Sequence, residues 1–450
     1  MTVGRVNGVG DPGDAVVIVG MAVETPGNVE TAEDYWALLC DQREALGPFP
    51  TDRGWALGDL FDGSRRDGFK QIHNLGGFLG SAAHFDPEFF GISPREAVAM
   101  DPQQRVALRL AWRAVENSGI NPDDLAGHDV GCYVGASTLE YGPPMSEFSH
   151  HSGHLITGTA LGVISGRIAY TLDLAGPALT IDTSCSSALA AFHTAVGALR
   201  AGDCDLALAG GVCVMGSPGY FVEFAKQHAL SDDGHCRPYS GHATGTVWAE
   251  GAAMFLLQRR SAAERSGRRI LAEVRASALN SDGRTTGLTA PSEQAQIRLF
   301  RRALEQAGLG PAEVDVVEGH GTGTTLGDRT ELRALTATYG AAAPGTGPVL
   351  GSVKSYLGHA QAAAGALGLA KVLVAAEHAG IPPTLHVDER SREIDWDNQG
   401  LRLAEKLTPW PATAGQRVAA VSAFGMSGTN THVIVAMPET PDIGAQRAAS

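Results

Sequence analysis

A chain of 450 residues with 44% hydrophobic and 18% charged side chains is globular and too long for one small core. Its net charge of -15 argues against nucleic-acid binding and against adhesion to an anionic membrane. The six cysteines contain no C-x-x-C pair, so neither a zinc knuckle nor a disulfide framework is indicated. There is no apolar signal core at the start and no apolar run of membrane-spanning length. A reduced, cytoplasmic chain without a membrane is expected, and no metal site.

Taken in order, residues 1–13 are Gly-rich and read as a flexible lead. Strands are expected at 15–23, 130–136, 178–182, 206–215, 252–257, 270–276, 314–318, 349–353, 417–423 and 432–436. Several of these have apolar residues on both faces, as buried strands do. Helical patterns alternate with them. Ser93, Pro94 and Glu96 form a helix-start signal, and 360–379, Ala-rich and nearly uncharged, reads as a buried helix. This is an α/β arrangement. Residues 439–450 read as a flexible tail.

Four stretches could carry chemistry. In "LTIDTSCSSALAAFHTAVGAL" a strand-like run feeds a helix beginning at Cys185, with Gly202 as its stop. A cysteine at a helix N-terminus is placed to become a thiolate, although free cysteines are equally at home as small buried hydrophobes. "EGHGTGTTLGDRTEL" carries His320 in a Gly/Thr turn after a strand, with a helix starting near Asp328; the alternative is an inert turn with one satisfied histidine. In "GSVKSYLGHAQAAAG", Lys354 is expected near a strand end and His359 at the opening of the buried helix, where a structural histidine is the bland alternative. "AFGMSGTNTHVIV" is a strand, a Gly-rich turn and a strand, whose N–H groups could form an oxyanion hole. "HHSGH" (His150, His151, His154) lacks a nearby acid or thiol and reads as a loop. Arg259, Arg260, Arg265, Arg268 and Arg269 are a candidate basic patch, or a solvated surface.

Together these motifs, with "VVIVGMA", "FPTDRGW", "FDPEFFGISPREAVAMDPQQR" and "GRIAYTLDLAGPALTIDTSCSSA", resemble the β-ketoacyl synthases of modular (type I) polyketide assembly lines across about residues 15–437. The resemblance implies a thiolase-like fold of two similar α/β halves in five α-β-α-β-α layers. The halves are expected at 14–260, carrying Cys185, and 261–438, carrying His320 and His359. It further implies that Cys185 is the acylated nucleophile and that His320 and His359 support decarboxylation of an extender thioester. Lys354 and Glu331 would be supporting charges, and Thr322 and Thr324 pantetheine contacts. The Cys185 and Phe424 N–H groups would make the oxyanion hole, with the Phe424 ring gating the pocket. The partners would be an acyl carrier protein and a second copy of the chain. No cofactor of its own is implied, since phosphopantetheine arrives on the carrier.

The sequence departs from that family around the site. Ser184 precedes the nucleophile, Gly319 and Arg329 stand where Ala and Pro are usual, and Ala249 replaces Gly. Tyr356, Leu357 and Ala360 alter the Lys-to-His motif, and Tyr356 is read as a substrate-lining residue. A free-standing enzyme acting in trans is expected ahead of a domain excised from an assembly line, with condensation ahead of an intramolecular cyclase of the γ-lactam-β-lactone type. A non-catalytic partner is disfavoured by the retained Cys185.

Overall fold

The computed structural model describes residues 13–438 apart from 64, 66, 150, 152, 411 and 414. The expected flexible lead and tail therefore lie, but for Gly13, outside the described residues, as does His150. The first half of the chain supplies β1 (Val16–Glu24), β2 (Val130–Gly135), β3 (Ala178–Ile181), β4 (Leu206–Cys213) and β5 (Gly251–Arg259). The second supplies β6 (Ala272–Ser281), β7 (Val316–Glu318), β8 (Val349–Gly351), β9 (Gly380–Ile381), β10 (Arg402–Leu403), β11 (Thr408–Pro409), β12 (Gln416–Phe424) and β13 (Thr429–Pro438). All ten expected strands form. The two-residue strands β9, β10 and β11 carry too little pattern to be read from sequence.

Pairing shows an internal duplication. Along the order β3-β2-β4-β5-β1 the neighbours pair parallel, parallel, antiparallel and antiparallel. The order β8-β7-β12-β13-β6 repeats that succession. The halves join where Val16, Val17 and Ile18 of β1 pair with Val274, Glu273 and Ala272 of β6. β10 extends the second half beyond β8, and β9 and β11 form a separate ribbon.

Helices fill the remaining layers. The Pro102–Asn117 helix packs on β1, β4 and β5, and the Glu293–Ala307 helix on β6 and β13. Between the two halves lie the Ser187–Ala201 and Ala364–Glu377 helices, each touching strands of both. For the second, that position explains the composition: a helix covered on all sides has no face to leave polar. In the second, every residue before Glu377 is buried, and its one buried charged side chain, Lys371, meets the buried Glu318 carboxylate at 2.6 Å.

Three local expectations are corrected. The nucleophile helix begins at Ser187, two residues after Cys185. Lys354 is not on a strand: β8 ends at Gly351 and Lys354 opens the short helix Lys354–Leu357. The chain leaves the sheet there because side chains take its N–H groups, Val353 donating to Glu318 Oε1 at 2.6 Å. His359 precedes the buried helix in an extended segment, its N–H donating to Val247 O at 2.7 Å and its carbonyl accepting from Ala249 N at 3.0 Å. Within the arginine patch, Arg259, Arg260 and Arg269 are paired to Asp205, Glu264 and Glu377.

Candidate active site

Cys185 is half-buried on a tight turn between β3 and the central helix. Ser184 before it has a left-handed backbone, φ 59°, an uncommon conformation for a non-glycine residue. Asp182 holds that conformation by accepting from Ser184 N at 2.9 Å, and the Ser187 hydroxyl closes the turn by accepting from Thr183 N at 2.9 Å. The turn after β12 lies directly against it. A Cβ at Gly425 would fall 2.1 Å from Thr183 O, so only glycine permits this approach. Ser427 Oγ donates to the same carbonyl at 3.1 Å.

Burial pushes the Cys185 thiol up to about 11; Lys354 and the N–H groups of Met426 and Cys185 itself pull it down. Desolvation outweighs these attractions, and the resting sulfur is a thiol. Met426 N–H was not singled out in the sequence. The Phe424 N–H instead donates to His320 Nδ1 at 3.4 Å, and the Phe424 ring lies 5.3 Å from the His320 ring and 6.2 Å from that of Phe300.

The loop carrying His320 hangs on two carboxylates. Glu331 accepts from the N–H groups of His320 at 2.7 Å and Gly321 at 2.8 Å. Asp328 accepts from Thr322 and Gly323, both at 3.1 Å. These carboxylates lie in the Thr325–Thr336 helix, which starts earlier than expected, so Asp328 sits in its first turn. Tyr239 bonds both, its hydroxyl donating to Glu331 at 3.0 Å and its N–H to Asp328 at 2.8 Å. The Thr322 and Thr324 hydroxyls stand 2.9 Å apart beside this loop.

His320 and His359 meet edge to face, ring centroids 5.4 Å apart and planes at 86°. Burial first, then the charge of Lys354, holds both well below the ordinary histidine range, so both are neutral near pH 7. The bond from Phe424 makes His320 Nδ1 the acceptor and leaves the proton on Nε2. His359 is buried, its ring 5.1 Å from Trp248, and its Nδ1 has no hydrogen-bond partner among the described residues. Lys354 is buried and its ammonium is held below its usual range by desolvation, opposed chiefly by Glu318. Four separate motifs thus converge on one thiol and two neutral imidazoles.

Two family profiles match the chain: Beta-ketoacyl synthase, N-terminal domain, over residues 13–263, and its C-terminal domain over residues 271–388. This chain belongs to the β-ketoacyl synthase family. Polyketide synthase GfsB of Streptomyces halstedii is 51% identical over 424 residues, 94% of this chain and 8% of that protein. Mycoketide-CoA synthase of Mycobacterium tuberculosis is 50% identical over 431 residues, 95% of this chain and 10% of that protein. The ketosynthase thus spans about a tenth of these relatives. Among solved structures, a Streptomyces albus oxazolomycin ketosynthase domain superposes with TM-score 0.87 at 37% identity, covering 95% of this chain and 75% of that one. A Bacillus subtilis bacillaene-synthase ketosynthase gives 0.86 at 36%, covering 95% and 72%. The fold is therefore the thiolase-like ketosynthase fold.

Within this ketosynthase the expected site residues fall into two groups. Cys185, His320, His359, Lys354 and Phe424 share one locus, and Thr322, Thr324 and Glu331 belong to the loop that carries His320. Tyr356 does not line the site as expected. It is fully buried, and its hydroxyl donates to Pro383 O at 2.8 Å, with Leu39 O at 3.3 Å. The phenol is a packing group that ties the Lys354–Leu357 helix to the Ala32–Cys40 helix and to the segment after β9. Glu331 acts on backbone N–H groups, whereas Glu318 has the larger influence on Lys354. The sequence does not mark Glu318, which opens a quoted motif, or Trp248, which lies next to Ala249; buried partners, invisible there, give them their roles.

Proposed function

We propose that this chain is a polyketide β-ketoacyl synthase that joins two carrier-bound thioesters by decarboxylative Claisen condensation. The observation that carries the reading is the convergence of the Cys185 thiol with two neutral, edge-to-face imidazoles in a buried site. In the first step Cys185 sulfur attacks an acyl thioester on an acyl carrier protein; the carrier thiol leaves with the proton and the acyl group stays on Cys185. A malonyl-type thioester on a second carrier then loses carbon dioxide, and its carbonyl oxygen gains enolate charge. His320 Nε2–H faces such an oxygen as a neutral donor, with His359 beside it, and neither gives up a compensating charge. The enolate carbon attacks the Cys185 acyl carbonyl, the C–S bond breaks, and the sulfur leaves as a thiolate that regains the thiol by taking a proton from water.

In this reading the Thr322 and Thr324 hydroxyls receive the pantetheine amides, and phosphopantetheine comes with the carrier rather than as a resident cofactor. The developing oxyanion on the acyl group is met by the backbone N–H groups of Cys185 and Met426, the Phe424 N–H being taken by His320. Lys354 keeps the field around the thiol positive. The protein works as a homodimer, supported by the free outer edge of β3, where Ala178 and Leu179 are exposed. No helix among the described residues is long and apolar enough to cross a membrane, and a cytoplasmic, trans-acting enzyme is part of the same reading.

The test supplies acyl-loaded and malonyl-loaded carriers together and separately. A chain longer by two carbons, formed only when both are present, is the expected result. A product formed without the malonyl carrier, such as a ring closed on the tethered chain, contradicts condensation.

A further inference from the structure

Away from the thiol, Glu44, His235 and His386 form a compact group in which one ligand-capable atom of each lies within 4.8 Å of the others. Glu44 Oε1 is 2.9 Å from both His235 Nδ1 and His386 Nε2, and Oε2 is 2.9 Å from His235 Nδ1. The two rings are tilted at 45° with centroids 5.0 Å apart, and all three residues are half-buried. His386 holds a left-handed backbone, φ 61°, in which its ring nitrogen meets the carboxylate. We propose that this group binds a borderline divalent cation of the zinc class through Glu44, His235 Nδ1 and His386 Nε2.

The donor set selects the ion. Two imidazoles and one carboxylate suit zinc, cobalt, nickel or copper, whereas magnesium and calcium prefer oxygen ligands. Tetrahedral bonds of about 2.1 Å put neighbouring ligand atoms roughly 3.4 Å apart. The present 2.9 Å contacts therefore need to open by only about half an ångström. One carboxylate charge against a dication leaves a net positive centre with a fourth position for water or another donor. Binding uses the unprotonated nitrogens, so each imidazole carries its proton on the other nitrogen.

The three ligands come from segments far apart in the chain, and each is next to a residue that grips the catalytic loops. Ala45 N donates to Tyr356 O at 2.7 Å, Leu385 N donates to Ser355 Oγ at 2.9 Å, and the Cys236 thiol donates to Thr322 O at 3.2 Å. An ion here staples the outer supports of the Lys354 helix and of the Thr322 loop. Its effect is on the stability of these supports, and it stands apart from the condensation chemistry, whose failure would leave it intact.

The full chain, stripped with chelator, is titrated with Co2+ and then Zn2+ as competitor. The expected result is one Co2+ per chain with the visible absorption of a tetrahedral nitrogen–oxygen site, and a rise in melting temperature. Glu44→Gln and His386→Ala each weaken binding by more than about tenfold. If Glu44→Gln fails to fold by circular dichroism, His386→Asn carries the same comparison. Absence of saturable binding, equal affinity in a folded variant, or a thiolate-to-cobalt band assigning the ion to a cysteine would each overturn the proposal.

Discussion

At the scale of single residues the site depends on neutral groups kept neutral by burial. Lys354 and the N–H groups of Met426 and Cys185 favour a thiolate, yet burial outweighs them and pushes the Cys185 thiol up to about 11. Below that value the thiolate fraction grows about tenfold per pH unit. The rate of Cys185 alkylation should therefore keep rising past pH 9 in the free protein, measured by mass spectrometry of the modified peptide. A plateau near pH 7 would show that the charges win. The histidines lie below their ordinary range, so protonation at pH 6 to 7 leaves them untouched, and they impose no acidic limb there on condensation.

At the scale of elements, one departure from the family has a clear steric cause. A Cβ on residue 319 would lie 1.9 Å from the Tyr239 hydroxyl, which bonds Glu331, the anchor of the His320 loop. Gly319→Ala should therefore destabilise the protein by roughly 1–3 kcal/mol, as overpacking does, and adding Tyr239→Phe should restore part of that loss. Thermal or denaturant unfolding of the two single variants and the double variant measures the coupling; strictly additive losses would refute it. The sequence contains Gly319 and Tyr239 eighty residues apart, so their contact was not legible. Cys185, His320 and His359 were legible as a set only through the family resemblance of their motifs; the local pattern of each left a buried thiol or a structural histidine open. The ten longer strands were legible from their apolar runs. Lys354 was misplaced because the Glu318 carboxylate, a partner remote in sequence, draws the backbone out of the sheet. Tyr356 was misread for a similar reason: only the fold reveals Pro383 O and Leu39 O as its partners.

At the scale of the molecule, the repeated order of pairings brings one turn from the first half and three segments from the second to the same interior point. The β3 edge remains open, with Leu179 47% exposed on the outermost strand. If two copies pair there, Leu179→Lys places like charges across a two-fold axis and should shift a dimer toward monomer, read by sedimentation at micromolar concentration. An unchanged mass would place the interface elsewhere. The duplication also separates the two duties of the site: the first half bears the thiol, the second the imidazoles. The most direct test of that division is the intact mass of the protein after incubation with an acyl-carrier thioester. Wild-type protein should gain one acyl mass, His320→Ala should still gain it, and Cys185→Ala should gain nothing. An acyl adduct on Cys185→Ala, or none on the wild type, would contradict the account.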